Sequence, residues 1–266
     1  MLIDTHVHLD AAEFDADRGE VLSRARRQGV GAFVLPSVER ANFAAVNSLA
    51  REHADIFPAY GIHPMYVDRA REDDLEALKA QLVRENPLAV GEIGLDRFVE
   101  GRDEARQNFY FVEQLKIARG LGLPVILHVR RAVDPVLAEL RRIRVPGGIA
   151  HAFNGSVRQA EEFIKLGFVL GFGGAMTHSR ATRIRALAAE LPLTALVLET
   201  DAPDIAPVWI GNGRNEPGEL PRIAGELAAV RGIAADELVE ATAANARRVL
   251  PGLRREPAVD AVADPR

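Results

Sequence analysis

The sequence predicts an α/β protein built as a (β/α)8 TIM barrel, and three observations lead there. Eight short apolar runs between residues 2 and 199 alternate with longer polar or amphipathic stretches. The runs are apolar nearly throughout rather than at every second residue, as in parallel strands buried on both faces. The chain has 266 residues, close to the roughly 250 of a single barrel. Eight strand–helix units favour closure over an open sheet.

The first run, residues 2–7, carries His6 and leads into His8. Residues two apart on a strand share a face, so both imidazoles can enter one barrel mouth. Two neutral imidazoles on a rigid strand make half of a metal site, although such a pair alone is as readily a core feature. The second run is 30–35. The third, 57–62, leads into His63. Leu75, Leu78 and Leu82 then recur at helical spacing over residues 73–84. The fourth run, 88–93, ends in Gly91-Glu92-Ile93-Gly94-Leu95-Asp96. A carboxylate at the end of an apolar strand is costly unless it is paired or on a metal; the alternative is a loop arginine. One carboxylate can also bridge two ions about 3.5–4 Å apart.

Residues 106–119 read as a helix with Phe109, Val112 and Leu115 on one stripe. The fifth run, 125–129, carries His128, and the sixth, 148–153, carries His151. Ser156 and Gln159 form a capping box for the next helix. The seventh run, 168–171, passes into Gly171-Phe172-Gly173-Gly174. That segment resembles a phosphate cradle, but no lysine follows, so it reads as a turn at the rim. The eighth run, 196–199, leads to Asp201, which terminates the strand ahead of Pro203. Residues 1–252 form one barrel domain. The segment 253–266 has no apolar face and reads as a frayed tail.

Composition narrows the function. Hydrophobic residues make up 48% and charged residues 27%, enough to bury a core. There is no cysteine, which removes thiolate metal sites and thiol nucleophiles. The absence of a signal-like start and of a long apolar run predicts a cytoplasmic, non-membrane protein with no evident obligate protein partner. The net charge is −5. Broad coating of a nucleic acid, which depends on a basic face, is therefore not expected, and any grip should be local, at a strand end.

Five of the seven histidines, His6, His8, His63, His128 and His151, fall at strand ends, where barrel enzymes place their chemistry. His6, His8, Glu92, His128 and His151 supply five donors that suit Zn²⁺ or Mn²⁺ better than calcium. Asp201 faces them across the barrel and can ligate, orient a water or take its proton. Glu199 lies deeper on the same face and supports the ligands. His53 reads as solvated, and His178 as a lesser substrate contact.

Together these pieces resemble the TatD family. The match includes His6-Val7-His8, Gly61-Ile62-His63-Pro64, the Gly91–Asp96 segment, His128-Val129-Arg130 and His151-Ala152-Phe153-Asn154-Gly155. It continues through Glu199-Thr200-Asp201-Ala202-Pro203, Arg214-Asn215-Glu216-Pro217, and Asn245 with Arg248. The resemblance runs from residue 3 to about residue 250. It implies a metal-dependent phosphodiesterase, usually described as a deoxyribonuclease, using two divalent ions (Zn²⁺, Mn²⁺ or Mg²⁺). One ion would be held by His6, His8, Glu92 and Asp201, and the other by Glu92, His128 and His151. Asp201, Glu92 and His63 would be catalytic. His63, Arg130, Asn154 and Arg214 would contact the substrate, a single-stranded or short nucleic acid, with Asp96 a lesser candidate. Ala152 departs from the family's frequent cysteine, at a packing position. Trp209 is the only tryptophan, and no stacking platform for a long strand is visible. Two rivals stand beside this. The same site could act on esters, amides or aminoacyl-tRNA, with residues 206–220 deciding, or the barrel could bind metal without turnover.

Overall fold

The computed structural model describes residues 1–254 and shows the expected barrel. Its strands are β1 (Leu2–Asp4), β2 (Val30–Pro36), β3 (Ile56–Tyr60), β4 (Ala89–Asp96), β5 (Val125–Arg130), β6 (Gly148–Ala150), β7 (Phe168–Phe172) and β8 (Leu196–Leu198). They form one parallel sheet in chain order. The Thr5 N–H donates to the Leu198 carbonyl at 3.0 Å and the Asp201 N–H to the His6 carbonyl at 2.8 Å, joining the first and last strands. Around them lie α1 (Arg18–Arg27), α2 (Phe43–Glu52), α3 (Asp73–Glu85), α4 (Glu104–Leu121), α5 (Val133–Arg142), α6 (Val157–Lys165), α7 (Thr182–Glu190), α8 (Leu220–Arg231) and α9 (Ala235–Val249).

Local signals explain several of these. α3 buries Leu75, Leu78 and Leu82. The Ser156 hydroxyl accepts the Gln159 N–H, and the Gln159 side chain returns to the Ser156 N–H, so α6 starts on the expected box. α4 differs in its face. Its buried stripe runs through Gln107, Phe111, Leu115 and Ala118, and Phe109 is left 41% exposed on the flank. α4 also buries Gln107 and Gln114 because their amides bond backbone beneath them: Gln107 Oε1 accepts the Asp96 N–H and Gln114 pairs with Ile62. Polarity misleads there.

All eight strands send a residue into one apolar interior layer: Ile3, Val34, Ala59, Ala89, Ile126, Ile149, Val169 and Val197. Ala243 and Ala246 of α9, with Val249, Leu250 and Leu253, close it from below. The Asn245 amide donates to the Leu193 and Leu196 carbonyls at 2.8 Å each, and Arg248 to the Thr194 carbonyl at 2.7 Å. The closing Asn-x-x-Arg therefore clamps the root of β8. Packing extends through Leu253, beyond the expected boundary at 252. The rest of the expected tail, from 255, lies outside the described residues. Among the described residues, no helix is long and apolar enough to cross a membrane.

Candidate metal centre

Hydrogen-bonded pairing in β1 ends at Asp4, but the chain beyond stays held on both sides. The Val7 N–H donates to the Val34 carbonyl at 3.1 Å and the His8 N–H to the Ala202 carbonyl at 2.8 Å. The two-residue alternation therefore continues, and His6 and His8 turn inward together, their Nε2 atoms 3.2 Å apart.

Glu92 is not at a strand end, as expected, but in the middle of β4, which runs on to Asp96. Val90 pairs with Val125 and Ile93 with Leu127, so three steps on β4 face two on β5. The extra residue makes a bulge that re-aims the side chain. Gly94 follows at φ 150°, where any Cβ would collide with the His128 carbonyl, so only glycine lets β4 approach β5 this closely.

Each Glu92 oxygen faces its own cluster. Oε2 lies 3.1 Å from His6 Nε2 and 3.6 Å from His8 Nε2. Oε1 lies 2.9 Å from His128 Nδ1, 3.2 Å from His151 Nε2 and 3.4 Å from His63 Nε2. Asp201 Oδ1 completes the first side, 3.5 Å from His6 and 3.6 Å from His8. Asp201 stands in the left-handed region at φ 57°, which aspartate tolerates better than most residues. Asn215 holds its loop: its amide donates to the Thr200 and Asp204 carbonyls at 2.8 Å each.

Carboxylates stand behind two of the candidate ligands. Asp96 Oδ2 meets His128 Nε2 at 3.0 Å, which leaves Nδ1 turned inward. Glu199 Oε1 accepts the Ala152 N–H at 2.6 Å and lies 3.6 Å from His151 Nδ1, the supporting place expected for it. Gly171 and Gly173 are not a turn device. Gly171 belongs to β7, and a Cβ there would overlap the Glu199 carboxylate, while a Cβ at Gly173 would meet the Glu199 carbonyl, so the first glycine makes room for that side chain and the second for its backbone.

Burial dominates the electrostatics. It drives His6 well below the usual imidazole range, with His151 adding to the effect, and lowers His63 to about 4. On His8 burial is outweighed by the Glu92 and Asp201 carboxylates, which raise it to about 9. Burial pushes Asp201 up to about 7. On Glu92 burial is overcome by the surrounding imidazoles, which hold it well below the usual carboxylate range.

The donor set fits divalent metal binding. Among the described residues, three groups bring ligand atoms within 4.8 Å of one another: His6, His8 and Asp201; His6, Glu92 and His151; and His63, Glu92 and His128. His6 Nδ1 is buried without a partner. Imidazole and carboxylate donors around a shared glutamate suit borderline-soft ions. His63 lies as near Glu92 as the expected ligands do. Its Nδ1 accepts the Met65 N–H at 3.1 Å, so Nε2 is its working atom.

A cavity of about 1090 Å³ opens above the centre, and His63, Arg130 and Asn154 line it. Asn154 Oδ1 accepts from Arg183 Nε at 2.9 Å. Arg214 is not brought there. Its guanidinium is committed to Asp17 at 2.7 Å and Glu216 at 2.8 Å, where it ties the last loop to α1. Trp209 is likewise engaged outside the cavity, donating to Glu219 at 2.6 Å with Arg222 over its ring. His178 bonds the Ala206 carbonyl. Three features were missed: Phe98 with Arg131 at the rim, Arg183, and the buried Asp4. An acid closing the apolar run of β1 was the one available signal for Asp4.

Comparison with known proteins gives a family match. The family model described as TatD related DNase covers residues 3–251. The uncharacterized metal-dependent hydrolase YjjV of Escherichia coli K12 is 40% identical over 242 residues, 90% of this chain and 93% of that protein. Human deoxyribonuclease TATDN3 is 32% identical, over 95% of this chain and 96% of its own length. The crystal structure of YjjV superposes with a TM-score of 0.91 at 39% identity, covering 94% of this chain and 98% of that one. A TatD family protein of Entamoeba histolytica shares the fold, with a TM-score of 0.83 at 19% identity over 94% and 97% of the chains.

Proposed function

The chain belongs to the TatD family of metal-dependent hydrolases, and from that premise we propose that it cleaves phosphodiester bonds at the end of a short or single-stranded nucleic acid, most plainly DNA, with two divalent ions. The observation that carries the proposal is Glu92, whose two oxygens face two separate clusters of imidazoles beneath one open cavity. His6, His8 and Asp201 would hold one ion, His128 and His151 the other, and Glu92 both. Such ions, when bound, acidify water from a pKa of about 15.7 toward 7 and draw charge from phosphoryl oxygens.

The chain's own groups supply the rest. Asp201 reaches the cavity and takes the proton of the attacking water. Asp96 and Glu199 keep His128 and His151 in one orientation, so no reorganisation is needed during reaction. His63 directs Nε2–H toward a phosphoryl oxygen, because Nδ1 is occupied by the Met65 N–H. Arg130 and Arg183 give the wall its positive charge, and Asn154 stands beside Arg183. The relative named a deoxyribonuclease supports the nucleic-acid substrate.

The test is hydrolysis of an end-labelled single-stranded DNA by metal-stripped protein, titrated separately with Mg²⁺, Mn²⁺ and Zn²⁺. Cleavage should require metal and be lost in His128→Ala. Asp201→Asn should lower kcat by roughly 10²–10⁴-fold, the usual worth of a general base. It should leave the circular-dichroism spectrum intact, since asparagine also tolerates a left-handed backbone. A folded, metal-loaded protein that cleaves esters or amides but no phosphodiester would overturn the proposal.

A further inference from the structure

An aromatic side chain stands at the cavity rim with no part in the metal centre. Phe98, two residues past β4, lines the cavity and is 42% exposed. The Arg130 guanidinium lies 3.7 Å from its ring centroid and that of Arg131 lies 4.6 Å away. Consecutive residues of a strand point to opposite faces. Arg131 escapes this by taking φ 53°, which turns its side chain back to the same ring. Among the described residues neither guanidinium pairs with a carboxylate, in contrast to Arg24 and Arg214, which are both committed.

The platform is also registered to the metal centre. Asp96 holds His128 Nε2 with Oδ2, while Oδ1 accepts the N–H of Phe98 at 2.8 Å and of Val99 at 3.2 Å. One buried carboxylate thus fixes both a candidate metal ligand and the backbone of the rim aromatic. Half a barrel turn away the rim is acidic, with Asp10, Glu13 and Asp204 lining the same cavity.

We propose that Phe98, with Arg130 and Arg131, is the subsite for the nucleotide adjoining the scissile phosphate. Its base stacks on the ring or on a guanidinium plane, and its outer phosphate meets the arginines. The acidic wall repels a polyanion, so the strand leaves the centre over β4 and β5 only. Every base has a π face, so the subsite tolerates sequence. A small ester or a lone phosphate would engage the arginines but leave the exposed ring without a role. This inference rests on the phosphodiesterase reading.

The test compares two short single-stranded DNAs, one intact and one abasic (tetrahydrofuran) at the nucleotides flanking the cleaved bond. With wild type, removal of the base should raise KM about 5- to 150-fold, the measured range for one base on an aromatic platform. Phe98→Ala should raise KM for intact DNA by a similar factor, gain no further loss on the abasic strand, and be rescued by Phe98→Trp. Arg130→Gln and Arg131→Gln should each flatten the salt dependence of log(kcat/KM) by about 0.7, one single-strand phosphate contact. Equal KM for wild type and Phe98→Ala, or a loss of the same size on both strands, would overturn the subsite alone. Failure of the wild type to cleave either strand would overturn the phosphodiesterase reading, and the subsite with it.

Discussion

Asp4 holds no candidate ligand position, yet it sets the backbone of His6, which does, and of Thr200, the neighbour of Asp201. Its Oδ1 accepts the N–H of Thr200 at 2.9 Å and of His6 at 3.4 Å, and the Thr200 hydroxyl meets Oδ2 at 2.6 Å. Burial pushes its pKa from 3.8 up to about 8. A folded-state pKa above the unfolded one means that the native chain binds this proton more tightly. The stabilisation is complete below about pH 4 and is lost as pH climbs to about 8. Asparagine cannot titrate, keeps the accepting oxygen and donates to the Thr200 hydroxyl. Asp4→Asn should therefore gain thermal stability relative to wild type as pH rises from 5 to 8 in metal-free protein. A constant difference in Tm across that range would refute a titrating Asp4. Asp4→Ala, by contrast, strands two buried N–H groups at about 1–3 kcal/mol each.

At the scale of strands, ligands are aimed by what their neighbours leave out. The Glu199 carboxylate has room beside His151 because β7 passes it with Gly171. Gly171→Ala would drive a methyl group into that carboxylate, so it should cost about 1–3 kcal/mol of stability. It should also weaken metal affinity by about 10–100-fold as His151 loses its support. Denaturant melts and metal titrations would read the two losses separately, and unchanged affinity would remove Glu199 from the supporting role. This also marks what was legible. His6 and His8 were, because period two is local, and so was α6, whose capping box lies within four residues. The bulge at Glu92, the room for Glu199 and the Asp17–Arg214 pair depend on chain segments far apart in sequence, and pattern within one segment cannot carry them. Phe109 misled for a related reason: the buried glutamines of α4 look polar until the backbone that they bond is known.

Across the whole molecule, the candidate ligands come from the middle of β4, from β5 and from the segments just past β1, β6 and β8, so ion binding would tie most of the ring together. Ligand that binds only the folded chain stabilises it by RT ln(1 + [L]/Kd), about 4.1 kcal/mol at a thousandfold excess over Kd. For a chain of this length that is worth roughly 8–16 °C in Tm, and chelation should remove it. The sign of the pH dependence follows from the ligands. In the metal-free protein, protons occupy Asp201 below about 7 and His8 below about 9, and each must leave before its atom can coordinate. Affinity should therefore fall as pH drops from 8 to 6, by up to about tenfold per unit for each proton displaced. Calorimetry in buffers of different ionisation enthalpy counts those protons directly. Proton release of about one or more at pH 7, with a smaller metal-induced rise in Tm at pH 6 than at pH 8, is the expected result. Equal Kd at both pH values with no proton release would mean that His8 and Asp201 are not ligands, and that the ions sit only among Glu92, His128, His151 and His63.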